Sequence, residues 1–361
     1  MYNKIYLKHI YNVFISRFFY TTIVFSSLIF VLNILEEMKF FSNNESINIG
    51  YPIMLTLLNL PSILFEIFPF IILISTLFFF IKFQETSEIL IFKNNGINNL
   101  KIISYISLLV FLIGVIIITL FHFISSNMKH TYLEFKNKYT LDQKYLAVIN
   151  ENGLWIKDKL NEKIMILHAE NIDKNFLRNI VITEYDLEFR NQRNIIAKNA
   201  NINNKIWEIY DAIEVDNVGK RERIDTLKFQ TNFDYLKINS LFSNLESLNI
   251  FQLFKQKKDF ETVGLSVLDI KVHLNKLFSI PISLVIFSIL SSIVMFNFKI
   301  NKSKSLTLTI GILLSVIIYY IYYFFGLMGL NNKVPAVIAV WLPNLILILS
   351  CMVGILNINE K

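Results

Sequence analysis

The chain has 361 residues, a formal net charge of +7 and 54% hydrophobic residues, with a mean hydropathy of +0.49. That composition excludes an ordinary soluble globular protein and points to a membrane protein. Residues 126–270 hold 21 Lys and Arg against 21 Asp and Glu, so the whole excess sits in the flanking apolar parts, which fits membrane topology and anionic lipid, not nucleic acid.

Residues 1–17 carry Lys4, Lys8 and Arg17 among aromatic residues, as an interfacial start does. Phe18–Leu35 is the first apolar run. It is too long for a signal-peptide core and lacks a small-residue cleavage site, so it reads as an uncleaved span. Glu36, Glu37, Lys39 and Glu45 then read as a polar loop. Pro52–Phe83 is the second run; its 32 residues make ~48 Å of helix, well beyond a ~30 Å hydrocarbon core. Pro61 and Pro69 are predicted to kink it. Glu66 is an intramembrane acid and a functional candidate on that ground. It stands roughly 24 Å from Lys82 along the helix, where a solvated or ion-paired structural role fits slightly better. Gln84–Asn99 is short and polar, with Gly96 as a helix stop. Leu100–Phe123 is the third span, and Ser126–Thr140 continues as a basic helix with Lys129, Lys136 and Lys138.

The polar stretch from Leu141 to Leu236 reads as β-strands at Tyr145–Ile149, Gly153–Lys157, Lys163–His168, Ile180–Phe189, Asn194–Ala200 and Ile206–Val215. Asn, Asp, Gly and Lys clusters separate them as turns. Asn201-Ile202-Asn203-Asn204 looks like a hairpin loop, since Asn tolerates positive φ. Leu241–Lys258 has helical spacing. Leu274–Phe298, Ser305–Leu327 and Pro335–Leu356 are spans four to six, with Lys299, Lys302 and Lys304 in the turn between the first two of them. The predicted fold is therefore α-helical membrane protein with a β insert: 1–140 an N-terminal half of three spans, 141–240 a β-domain, 241–361 a C-terminal half of three spans. Ten basic residues in the segments facing one side, against Lys39 and Lys333 in the two short loops facing the other, place both termini inside and the β-domain outside by the positive-inside rule.

Nothing in the chain resembles a phosphate-binding G-x-x-x-x-G-K-[ST] loop, a metal-ligand spacing of its five histidines, or a Ser-His-Asp set. His122 and His130 read as packing residues. The single cysteine, Cys351, excludes an internal disulfide. A non-catalytic membrane subunit is the expectation. The positive signal is Glu85-Thr86-Ser87-Glu88-Ile89-Leu90-Ile91-Phe92-Lys93-Asn94-Asn95-Gly96, a short amphipathic turn between spans two and three. It reads either as a helix that docks in a partner's groove or as a plain connection.

This segment resembles the coupling-helix pattern S-E-(apolar)₃-(bulky)-x-x-x-G of the LptF/LptG (YjgP/YjgQ) permeases, which export lipopolysaccharide. Asn152-Gly153-Leu154-Trp155-Ile156-Lys157-Asp158 is similar to the G-L-W-x-(K/R)-D strand of the LptG branch. Ala197-Lys198 through Lys205-Ile206-Trp207 is similar to that branch's hairpin, and Pro335 with Pro343 to its P-x₇-P sixth span. The order of three spans, β-domain and three spans covers the whole chain. Gly-Leu-Trp favours LptG, with the LptF paralogue as the alternative.

The resemblance implies an ABC-transporter permease in the bacterial inner membrane. It would pair with an LptF-like subunit, dock a dimeric LptB-like ATPase that holds ATP and Mg, and be joined by an LptC-like single-span protein. The β-domain would be a periplasmic jellyroll feeding a periplasmic bridge. Ser87, Glu88, Ile89, Phe92 and Gly96 would couple to the ATPase, Glu88 by a polar bond and Ile89 and Phe92 by filling its groove. Lipopolysaccharide contact would fall to Lys39, Lys129, Lys136 and Lys276, with Phe30, Leu32, Leu35 and Phe325 as cavity wall; helix anchoring is the other reading of these lysines. The basic residues common near the outer end of the family's first span are reduced here to Lys39 beside Glu36 and Glu37. A mechanotransmitting permease of the lipoprotein-release type is a further alternative, but it typically has four spans. A membrane sensor would need a cytoplasmic output domain, which no inner segment is long enough to form.

Overall fold

An apolar run carries no signal of its own that stops a helix at the edge of the hydrocarbon, and the helices here outrun the apolar runs. The computed structural model describes residues 2–42, 50–137, 146–150, 153–160, 163–173, 175–217, 219–235, 238, 244–263, 266–297 and 304–359. Asn152 at the head of the Gly-Leu-Trp strand, and Glu45, Lys138, Lys299, Lys302 and Lys361, lie outside them. Two units are distinguished: residues 1–132 with 271–361, and residues 133–270.

The helices of the first unit are α1 (Tyr2–Phe41), α2 (Gly50–Glu85), α3 (Glu88–Asn94), α4 (Asn99–Ile116) and α5 (His122–Asn137), the last running on into the second unit. A π-helical turn, Ile117–Phe121, joins α4 to α5. After the β-domain come α6 (Ile250–Val263), α7 (Leu268–Asn297), α8 (Lys304–Leu330) and α9 (Ala336–Asn359). Among the described residues six helices are long and apolar enough to cross a membrane, α4 and α5 counting as one. At 40 residues, α1 is ~60 Å long. It contains Glu36, Glu37 and Lys39, which the sequence reading had put in a loop.

The buried core of this unit is built on α2, which is apolar on nearly every side. Phe68, Ile71, Phe79, Phe80 and Phe83 pack with Ile10 and Phe14 of α1 and Ile102, Ile106 and Val110 of α4. Leu73, Ile74 and Leu77 pack instead with Ile286, Phe287 and Leu290 of α7, and with Leu347 and Cys351 of α9. Helices of equal apolarity gain little from leaving lipid, so close approach and interhelical hydrogen bonds position them. Gly114 lets α4 lie on Pro281 of α7: a β-carbon there would come 2.7 Å from Pro281 Cα. Ser291 Oγ donates to the Leu73 carbonyl. Ser283 Oγ and Tyr322 hydroxyl both donate to Asn344 Oδ1, joining α7, α8 and α9.

The described residues of the second unit hold one antiparallel sheet, a meander in which each strand pairs with its neighbours in sequence. Its strands are β1 (Leu146–Asn150), β2 (Gly153–Leu160), β3 (Lys163–Asp173), β4 (Phe176–Tyr185), β5 (Asn191–Asn201), β6 (Ile206–Asp216) and β7 (Arg221–Gln230). Alternation divides the faces. Ile156, Leu167, Ile182 and Ile195 lie opposite one another across four strands and are buried. On the other face Trp155, His168, Val181, Ile196 and Ile213 form one row, whose apolar members are exposed.

Three details differ from the sequence reading. β4 stops at Tyr185, and Asp186–Phe189 is a turn held by Asp186 Oδ1, which accepts from the Glu188 and Arg190 amides. The loop at 201–204 uses no positive φ; Asn201 Oδ1 accepts from the Asn203 amide while Ile202 is buried. β7 carries no clear strand pattern in the sequence, because five of its ten positions are charged. Charged side chains are how an edge strand discourages further pairing.

Candidate functional site

The turn between α2 and α4 is short and tightly specified. Ser87 takes a left-handed conformation, φ 53°, and reverses the chain after α2. At the other end Gly96 has φ 76°. Its amide donates to the Lys93 carbonyl and the Ile97 amide to the Phe92 carbonyl, the paired bonds of a Schellman stop that favours glycine. The α3 helix between them has only seven residues. A helix of that length does not hold itself together in water, so neighbouring side chains must fix it. Phe92 stacks on Phe83, ring centroids 5.7 Å apart, and meets Tyr6 edge-on at 6.3 Å. Ile89 packs on the same core. Glu88 Oε2 accepts from His9 Nε2 at 2.8 Å, and Oε1 accepts from the Thr86 hydroxyl at 2.8 Å.

Ile89 and Phe92, expected to fill a partner's groove, therefore face this chain's own core. The reason is periodicity: residues three apart share a helix side, and Phe83 and Tyr6 cover that side. Leu90 and Ile91 are left outward, 64% and 55% exposed. Four consecutive apolar residues gave the sequence reading no way to tell the two pairs apart.

At the end of α1 near Phe41, Glu37 is 1% exposed and its Oε1 accepts from the Tyr132 hydroxyl at 2.7 Å. Lys129 Nζ donates to Asn59 Oδ1 of α2 at 2.8 Å and lies 5.2 Å from the Tyr132 ring centre. So Lys129 turns into the bundle and bridges α5 to α2. Lys39, Leu32 and Leu35 are exposed on α1, and Phe30 is half-buried. Lys276 of α7 is exposed but lies close to α8: a β-carbon at Gly326, next to Phe325, would be 3.2 Å from its Nζ. Lys136 is half-buried in the last turn of α5, within the second unit. Glu66 is on the exposed side of α2. His122 is buried against Phe65, ring centroids 5.0 Å apart. Among the described residues no three or more His, Cys, Asp or Glu side chains converge as a metal site would require.

In the β-domain the two sequence patterns meet at one place. Asp158, fully buried at the end of Gly-Leu-Trp-Ile-Lys-Asp, accepts from the Thr231 hydroxyl, the Asn232 amide, Asn232 Nδ2 and the Lys159 amide. Trp207, also fully buried, donates from Nε1 to the Phe233 carbonyl at 2.8 Å. Both patterns thus fasten the segment that leaves β7. On another part of the sheet burial pushes the Glu184 carboxyl up, but the Arg193 guanidinium, 2.7 Å away, and the Lys163 ammonium outweigh it and hold it below its ordinary value. Arg193 is pushed up in turn by its bonds to Glu184 and Glu214.

No curated protein matches the chain. The family described as lipopolysaccharide export system permease LptF/LptG matches residues 8–357, nearly the whole chain, and the protein belongs to that family of membrane permeases of lipopolysaccharide export.

Proposed function

We propose that the chain is the LptG-type permease of an ABC transporter that lifts lipopolysaccharide out of the bacterial inner membrane and passes it to a periplasmic bridge. ATP and Mg are handled by a separate LptB-like dimer, and the chain itself carries out no catalysis. Its membrane partner is an LptF-like permease, and an LptC-like single-span protein completes the assembly. Both termini are cytoplasmic and residues 141–236 periplasmic, following the ten-to-two distribution of basic residues.

One observation supports this reading above the others. α3 sits in the segment that matches the coupling-helix pattern, is fixed by its own inward side chains, and presents Leu90 and Ile91 to solvent. Two exposed aliphatic side chains on a rigid turn suit a groove on a partner. Glu88 and Ser87 then shape the turn, and Leu90 and Ile91 supply the contact. At the opposite end of the first unit, Lys39 beside Leu32 and Leu35, and Lys276 beside Phe325, are the residues proposed to meet lipid A phosphates and acyl chains.

The test is co-purification of the complex from detergent with Leu90→Asp. Burial of one leucine contributes ~1.5–3 kcal/mol, so ATPase affinity is expected to drop by about 10- to 150-fold. The partners would be identified by mass spectrometry. Retention of the ATPase at the wild-type ratio would refute the docking role of this helix.

A further inference from the structure

We propose that His9 is a positioning residue that ties the first membrane span to the ATPase-facing helix, so that movement of α3 is delivered directly to α1. The proposal rests on the reading of α3 as the docking element. Three contacts carry it. His9 Nε2 is 2.8 Å from Glu88 Oε2. Tyr6, three residues earlier and on the same face of α1, meets Phe92 edge-on and lies 3.3 Å, oxygen to oxygen, from the Tyr105 hydroxyl of α4. The His9 ring also lies on Phe83, centroids 6.0 Å apart, and Phe83 stacks with Phe92. α3 is therefore bound to α1 through a polar contact and an aromatic one, as well as to α2 through its covalent connection.

The consequence is directional. A load on α3 passes to α2 along the backbone whatever the side chains are. The direct side-chain links of α3 to α1, apart from packing on the shared core, are Phe92 with Tyr6 and Glu88 with His9. Phe92 and Ile89 are packed on the core that α1 shares, so Phe92 cannot be removed without disturbing α3 itself. His9 is half-exposed and can be removed without opening that core. Glu88 keeps its bond to Thr86 when His9 is gone, which preserves the shape of the turn.

The experiment uses the whole transporter in membranes, with His9→Ala and His9→Gln, and reads three quantities: ATPase bound, ATP hydrolysed, and lipopolysaccharide released per ATP. Glutamine keeps an N–H donor at similar reach for the Glu88 carboxylate. His9→Ala is expected to bind the ATPase and hydrolyse ATP as wild type does, while release per ATP falls about threefold, a factor within the range that a single hydrogen bond commands. His9→Gln is expected to restore at least half of that loss. Unchanged release per ATP in His9→Ala overturns the proposal. So does a fall that tracks loss of bound ATPase, which would make His9 a docking residue, and so does failure of glutamine to rescue. If the wild-type chain binds no ATPase, the docking reading fails and the linkage with it, an outcome recognisable before any variant is made.

Discussion

Asp158 offers the most direct test of the idea that the β-domain's sequence patterns fasten its exit segment. Its two oxygens accept four hydrogen bonds in a fully buried position. Asp158→Asn keeps the shape and replaces one oxygen by an NH₂. If Oδ2 is replaced, the Thr231 hydroxyl and the Asn232 amide face it; if Oδ1, Asn232 Nδ2 and the Lys159 amide do. The threonine hydroxyl can rotate and accept, but an amide N–H cannot. At least one donor loses its partner in either orientation. Hydrogen bonds to a charged group contribute ~1.5–3 kcal/mol each, so losing one or two costs ~2–4 kcal/mol once partial rearrangement is allowed. The loss is local if the segment opens by itself, and amide exchange at Asn232 and Phe233 then speeds up by about 30- to 1,000-fold. Hydrogen–deuterium exchange of the full chain in detergent, read on peptides covering 229–235, measures this. Exchange at those amides equal to that of the wild type would refute the fastening role of Asp158.

The helix packing predicts a contrast between two glycines. Gly114→Ala puts a carbon 2.7 Å from Pro281 backbone, whereas Gly311→Ala meets only the far end of the Leu77 side chain at such short range; the first is expected to cost ~1–3 kcal/mol and the second to leave the thermal midpoint in detergent near that of the wild type. Glu184 predicts a pH dependence. Its folded value lies below its ordinary 4.5, so its contribution is complete above that pH and is lost as pH falls through the folded value. Protease resistance of the β-domain should therefore decline below pH 4.5 in wild type and decline less steeply in Glu184→Gln.

The spans were legible because eighteen or more apolar residues in a row have few other uses. Their ends were not, because Glu36, Glu37 and Lys39 carry no helix stop and α1 runs through them to Phe41. Burial of Glu37 depends on Tyr132, 95 residues away, and no local pattern signals it. Lys129 was read as a headgroup contact for the same reason: Asn59, its partner, is 70 residues distant. Six strands were visible from apolar and β-branched content, and the seventh was hidden by its charges. In α3 the pattern located the helix and its glycine stop, whereas the side that faces inward was decided by Tyr6 and Phe83.

These contacts also explain how the least enclosed span is held. One side of α1 lies on α2 through ring contacts of Phe14 with Phe79, Phe18 with Phe68, and Phe25 with Phe70. Much of the rest, including Ile23, Leu28, Val31, Leu32 and Leu35, is exposed. In hydrocarbon those side chains meet lipid tails about as favourably as they would meet another helix. Apolar contact alone therefore sets the height and rotation of α1 only weakly. Polar contacts are directional and short-ranged, and α1 has them near both ends: His9 with Glu88 and Tyr6 with Tyr105 at one, and Glu37 with Tyr132 at the other. A span fixed at its ends and loosely specified between them is moved by whatever moves the ends. For α1 those are the short helix that carries Leu90 and Ile91 and the helix that leads towards the β-domain.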